Sequence, residues 1–76
     1  MSNQPESAHG LLDYAICEGT AKLIGHGEEC KGSYYEVYGV GDKYIAGVFS
    51  SPQGWLEAAE FITEEQIGDY VDYQVP

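Results

Sequence analysis

The chain has 76 residues and carries 13 acidic side chains against three lysines and no arginine, a formal net charge of -10. Charge so far to one side argues against nucleic acid and anionic membranes as direct ligands, because both demand cationic footprints. The length allows one domain without room for a deep two-lobed catalytic cleft. A hydrophobic content of 43%, with seven Tyr, two Phe and one Trp, is too high for a disordered acidic tail.

The leader MSNQPESAHG has neither a basic n-region nor an apolar h-region, and no stretch is long enough to span a membrane. Residues 1–9 are read as a flexible lead-in and 10–76 as one compact domain, expected in a cytoplasm. From there Ala8, Leu11, Leu12, Ala15, Ile16, Gly19 and Leu23 follow the i, i+3, i+4, i+7 rule, which predicts a helix over about 8–24 with Ser7 as N-cap. Gly19 and Thr20 weaken its second half, and a strand over Leu12 to Cys17 is the competing reading. GHGEECKGS, residues 25–33, is a Gly-rich polar connector.

SYYEVYGVGDKYIAGVFSS predicts a β-hairpin over 33–50 with Gly41 at the first central position of a type II′ turn. A two-residue loop sets Val40 opposite Lys43, Tyr38 opposite Ile45, Glu36 opposite Gly47 and Tyr34 opposite Phe49 on one face. Tyr35, Val37, Tyr44, Ala46 and Val48 take the other, which has no charge and is expected to be the core. The first face mixes apolar and charged groups and calls for cover by a helix or by a partner.

SSPQGWLEAAEFITEEQIG predicts a second helix over about 52–67, with Ser51 as N-cap, Pro52 in the first turn and Gly68 just past the stop. At 100° per residue, Trp55, Ala58, Ala59 and Ile62 form its buried stripe, flanked by Leu56, Phe61 and Ile67. DYVDYQV suits a short last strand beside the hairpin, ended by Pro76. The expected fold class is α+β: two helices on a small antiparallel sheet.

Motifs for chemistry are sparse. His26-Gly27-Glu28 matches the H-x-E of zinc deaminases without the P-C-x-x-C that must follow. His9, Cys17, His26 and Cys30 are soft enough for zinc but lack ligand spacing. Cys17 and Cys30 are expected as reduced thiols, with a pairing left open. Gly39-Val40-Gly41 has no third glycine and no following helix, so it is no phosphate loop, and Ser50-Ser51 lacks a nucleophile elbow. No enzyme, metal or cofactor is expected.

What stands out is charge. Downstream of Lys43, Glu57, Glu60, Glu64, Glu65, Asp69 and Asp72 meet no Lys or Arg. On a helix, each like-charged pair three or four apart would cost about 0.2 to 0.5 kcal/mol, so the run is expected to serve a partner. Residues four apart rise about 6 Å, comparable to successive phosphates, and such a ladder would engage a basic groove built for a nucleic-acid backbone. Tyr34, Tyr38, Tyr70 and Tyr73 are the candidate anchors, since Tyr offers large, rigid, amphipathic contact area.

A tiny, acidic, Tyr-rich chain without catalytic signature resembles, in profile though not in any alignable motif, the phage-encoded inhibitors of bacterial defence, including anti-CRISPR proteins and DNA mimics. The resemblance implies stoichiometric binding to a nuclease or surveillance complex. The other expectation is a small interaction or adaptor domain that docks, or forms a homodimer, through the Tyr34, Tyr38, Ile45, Phe49 face.

Overall fold

A computed structural model describes residues 7–28, 32–51 and 53–74, with the Tyr73 and Gln74 side chains set aside. In chain order the elements are α1 (Ala8–Glu18), β1 (Lys22–Glu28), β2 (Ser33–Val40), β3 (Lys43–Ser50), β4 (Leu56–Ile62), a 3-10 turn (Glu64–Gln66), the single helical turn α2 (Ile67–Tyr70) and β5 (Tyr73–Gln74). The strands form one sheet in the order β4-β3-β2-β1-β5, and every neighbouring pair is antiparallel. The fold class is α+β, as the sequence predicts.

The predicted first helix is real but stops at Glu18. The Ser7 hydroxyl accepts the Gly10 N–H at 3.0 Å, satisfying one orphan amide of the first turn. Gly19 then adopts a left-handed conformation at φ 79, and the Thr20 N–H reaches back to the Ala15 carbonyl at 2.9 Å. That closure ends the helix, because the left-handed conformation is cheap only for glycine. Leu23, which the periodicity places on the helix, belongs to β1. Ser7 caps the helix and Ala8 and His9 begin its first turn, as the helix reading from about residue 8 predicts, and Ala8 is buried; residues 1–6 lie outside the described residues.

The hairpin takes the predicted register at every pair from Ser33 opposite Ser50 to Val40 opposite Lys43. Gly41 has φ 63, and among the described residues no non-glycine residue, Asp42 included, has positive φ, as a type II′ turn requires. Each face of the hairpin carries a cluster of buried side chains. On the first, α1 lies across β4, β3 and β2 and packs Ala8 and Leu12 against Ile45 and Phe49. On the second, Val37, Ala46 and Ile62 pack against Ile67.

Two predicted elements are corrected. The connector over 25–33 contains most of β1: Gly25 and Gly27 are buried strand residues paired with Val37 and Tyr35. The C-terminal segment crosses against Gly27 so closely that a Cβ there would sit 2.5 Å from the Tyr70 carbonyl oxygen. Glycine inside a strand marks this kind of close approach.

The helix predicted over 52–67 is strand β4 followed by the 3-10 turn and α2. Gly54, at φ 78, turns the chain back on itself, its N–H bonding the Ser50 carbonyl while the Ser50 N–H bonds the Trp55 carbonyl at 2.9 Å. The segment thereby meets the open edge of β3, and strand pairing overrides the helix propensity of Leu, Glu and Ala. Leu56, Ala59 and Ile62 have helical spacing but are divided between the faces, the first two under α1 and Ile62 on the opposite side. Trp55, placed in the buried stripe by periodicity, is 69% exposed, and Gly68 lies within α2 instead of beyond a helix end. Pro52 and Pro76 lie outside the described residues. The last strand exists, but it pairs with β1 and not with the hairpin.

Candidate functional site

Residues 63–72 act as a strap. They leave β4 at one edge of the sheet, cross its second face, and deliver β5 to β1 at the other edge. At its start the Thr63 N–H bonds the Gln66 side chain at 2.9 Å. Ile67 is its buried anchor, and at its end the Asp72 N–H bonds the His26 carbonyl at 2.9 Å.

Tyr70 joins the strap to the sheet in two ways. Its ring meets that of Tyr35 edge-on, with centroids 5.2 Å apart and planes at 88°, the arrangement favoured by the ring quadrupole. Its hydroxyl donates to Glu60 on β4. That bond to a carboxylate, with a smaller contribution from burial, pushes the Tyr70 hydroxyl up to about 12, because ionising it would break the bond and add a second negative charge. On the first face Tyr38 donates to Glu36 at 2.7 Å; burial and then that bond hold its hydroxyl well above the ordinary tyrosine range. Both hydroxyls are thus fixed as neutral donors, suited to positioning carboxylates and poor at exchanging protons near neutrality.

The predicted acidic residues are all exposed, yet they do not form a helical ladder. Glu57 lies at the register shift where β4 passes from Phe49 to Val48, and Glu60 pairs with Ala46 on the second face. Glu64 and Glu65 occupy the 3-10 turn and Asp69 lies in α2. Asp72 reaches a separate hollow at the β1 edge, bordered by His26, Glu28, Tyr34 and Glu36. Glu64 and Lys43 border the same hollow. The result is an acidic surface running from β4 along the strap.

The candidate tyrosines separate. Tyr34 stacks on Phe49 at 5.6 Å and Tyr38 packs against the same ring, so both serve the core beneath α1. Tyr70 belongs to the acidic surface. Tyr73 is placed by its backbone alone, opposite His26. The face proposed for docking or dimerisation is covered by α1, with Ile45 at 0% and Phe49 at 5% exposure. Sequence reasoning missed Tyr35, which it assigned to an uncharged core face. Its signal was present, since a Tyr on a strand beside small residues needs a partner for its polar end.

Among the described residues no group of three His, Cys, Asp or Glu side chains could hold a metal ion. Cys17 is exposed and unpaired as a thiol, while Cys30 lies outside the described residues. No helix of the described residues is long and apolar enough to cross a membrane. No protein-family model matches the chain, and no curated protein or solved structure matches it significantly.

Proposed function

We propose that this chain is a stoichiometric, cytoplasmic protein-binding inhibitor that blocks a nucleic-acid-binding complex, a CRISPR effector or similar nuclease, by occupying its basic surface. One observation carries the reading: Glu60, Glu64, Glu65, Asp69 and Asp72 are all exposed along β4 and the strap, in a chain with no Lys or Arg after Lys43. A surface of one sign raises encounter rates with an oppositely charged groove and rejects nucleic acid itself. Competition by charge, without a regular phosphate-like spacing, is the mechanism this arrangement supports. The resemblance in profile to small phage-encoded inhibitors points the same way.

The test is affinity capture from a bacterial host, followed by competition with DNA or RNA. Glu64→Gln, Glu65→Gln and Asp69→Asn together are expected to weaken the captured complex at least tenfold and to flatten its salt dependence. Undiminished binding by that variant would leave the strap a solvated surface.

A second reading, an adaptor domain, is favoured by Trp55 and Phe61, which are 69% and 45% exposed at the two ends of β4. Docking there would be insensitive to salt and lost on Trp55→Ala, which separates the two readings.

A further inference from the structure

Beside the strap the second face of the sheet is left open. α2 is a single turn; Ile67 and Tyr70 pack with Val37, Ala46 and Ile62, while Val48 stays half-buried and Ala58 exposed. A hollow of about 300 Å³ remains, floored by Ala46, Val48 and Ala58, walled by Tyr35 and Tyr70, with Glu60 at its margin. The floor is built of small apolar side chains. The two rings stand perpendicular, the edge of one against the face of the other. Glu60 takes the Tyr70 hydroxyl on Oε2, which leaves accepting capacity on a group with room for about four hydrogen bonds.

The geometry points to a binding site for one cationic side chain, an arginine or lysine of a protein partner, with its methylene stem on the alanine and valine floor and its charged head between the tyrosine rings and Glu60. This deepens the function proposed above and rests on it, since the cation is supplied by the basic partner. Three chemistries compete for such a hollow. An anion would meet Glu60 and a chain of net charge -10. A neutral apolar group would desolvate the Glu60 carboxylate without pairing it, which is costly. A long basic side chain fits both halves, because it buries its stem and keeps its head at the polar margin. A ring within about 6 Å adds cation–π attraction. Guanidinium suits the corner better than ammonium, being planar, stackable on a ring and able to fork onto a carboxylate.

The probe is N-acetyl-arginine methylamide, titrated into the intact protein and followed by amide chemical shifts, with the uncharged citrulline analogue as its control. Saturable shifts confined to Tyr35, Ala46, Val48, Ala58, Glu60 and Tyr70 are expected with arginine and none with citrulline. Glu60→Gln should weaken binding at least tenfold. Ala58→Leu, which fills the floor and keeps every carboxylate, should abolish it while the spectrum stays that of a folded chain. Shifts spread without saturation over all acidic residues, including Asp13 and Glu18 on α1, would overturn the site, as would undiminished binding by the Ala58 variant. The two proposals fail separately. A basic partner captured through the strap by a protein that takes no arginine here ends the site and leaves the function. Arginine bound here in a protein that captures no nucleic-acid-binding partner does the reverse.

Discussion

The two faces of the sheet are closed by different means. Over the first lies α1, an 11-residue helix capped at both ends, which leaves Leu12 at 0% exposure and seals Ile45 and Phe49 from water. Over the second runs the strap, a 3-10 turn and one helical turn, which anchors a single buried Ile and then rests on a tyrosine and a backbone contact. The difference is one of division of labour. A small domain has few kcal/mol in reserve, and here the first face is sealed by a helix while the second buries Val37, Ala46, Ile62 and Ile67 and leaves carboxylates exposed along the strap.

The sharpest way to break that contrast is to truncate each cover at its centre. Leu12→Ala removes a fully buried side chain and is expected to cost about 3 kcal/mol, and Ile67→Ala about 2 kcal/mol, both read by denaturant unfolding. A larger loss at Ile67 would make the strap the principal support and invert the comparison.

Gly27→Ala attacks the strap from beneath. The new Cβ would meet backbone at 2.5 Å from the Tyr70 oxygen and 3.0 Å from the Asp72 nitrogen, and backbone cannot give way as the end of a flexible side chain can. A cost of about 1 to 3 kcal/mol is expected. Amide exchange should locate the damage: the Asp72 N–H, bonded to His26, loses protection while the amides around Leu12 keep theirs.

Tyr70→Phe keeps the ring against Tyr35 and deletes the bond to Glu60, at a cost of about 0.5 to 1 kcal/mol at this solvent-facing position. The same bond has a pH signature. With the hydroxyl raised from 10.0 to about 12 in the folded chain, its contribution is whole below pH 10 and is lost as pH rises through about 12. A tyrosinate absorbance titration should show one fewer late-ionising tyrosine in the Phe variant. If the alkaline limb is unchanged, the strap is not held by this contact.

The smallest stability effect belongs to the charges. Glu64→Gln, Glu65→Gln and Asp69→Asn together should move stability by no more than about 0.5 kcal/mol, in the stabilising direction if at all. Under the function proposed above, the large effect of that variant is expected in partner binding. A stability loss well beyond that range would assign these carboxylates to the fold.

Local chemistry made some of this molecule legible in its letters. Gly41-Asp42 between two alternating runs determined the hairpin and every pair in it, because a two-residue turn leaves no freedom of register. Ser7 and the Ala8, Leu12, Ala15 spacing determined the start of α1 and its buried stripe, and the missing cations after Lys43 determined that the surface would be acidic. β4 was decided elsewhere. Its residues favour a helix alone, and only the open edge of β3, reached through the Gly54 turn, makes them a strand, so the carboxylates expected on a helical rod are spread over a strand and a strap. Gly25 and Gly27 read as a loop until β5 pairs beside Gly25 and residues 70–72 press on Gly27, a separation of more than about 40 positions over which no local periodicity carries information. The meeting of Tyr35, Glu60 and Tyr70 has the same origin: three residues from separate elements, joined when the strap crosses the sheet. Turns and helix caps are settled by neighbours in the chain, whereas edges, crossings and the hollows between them depend on which distant segments find one another.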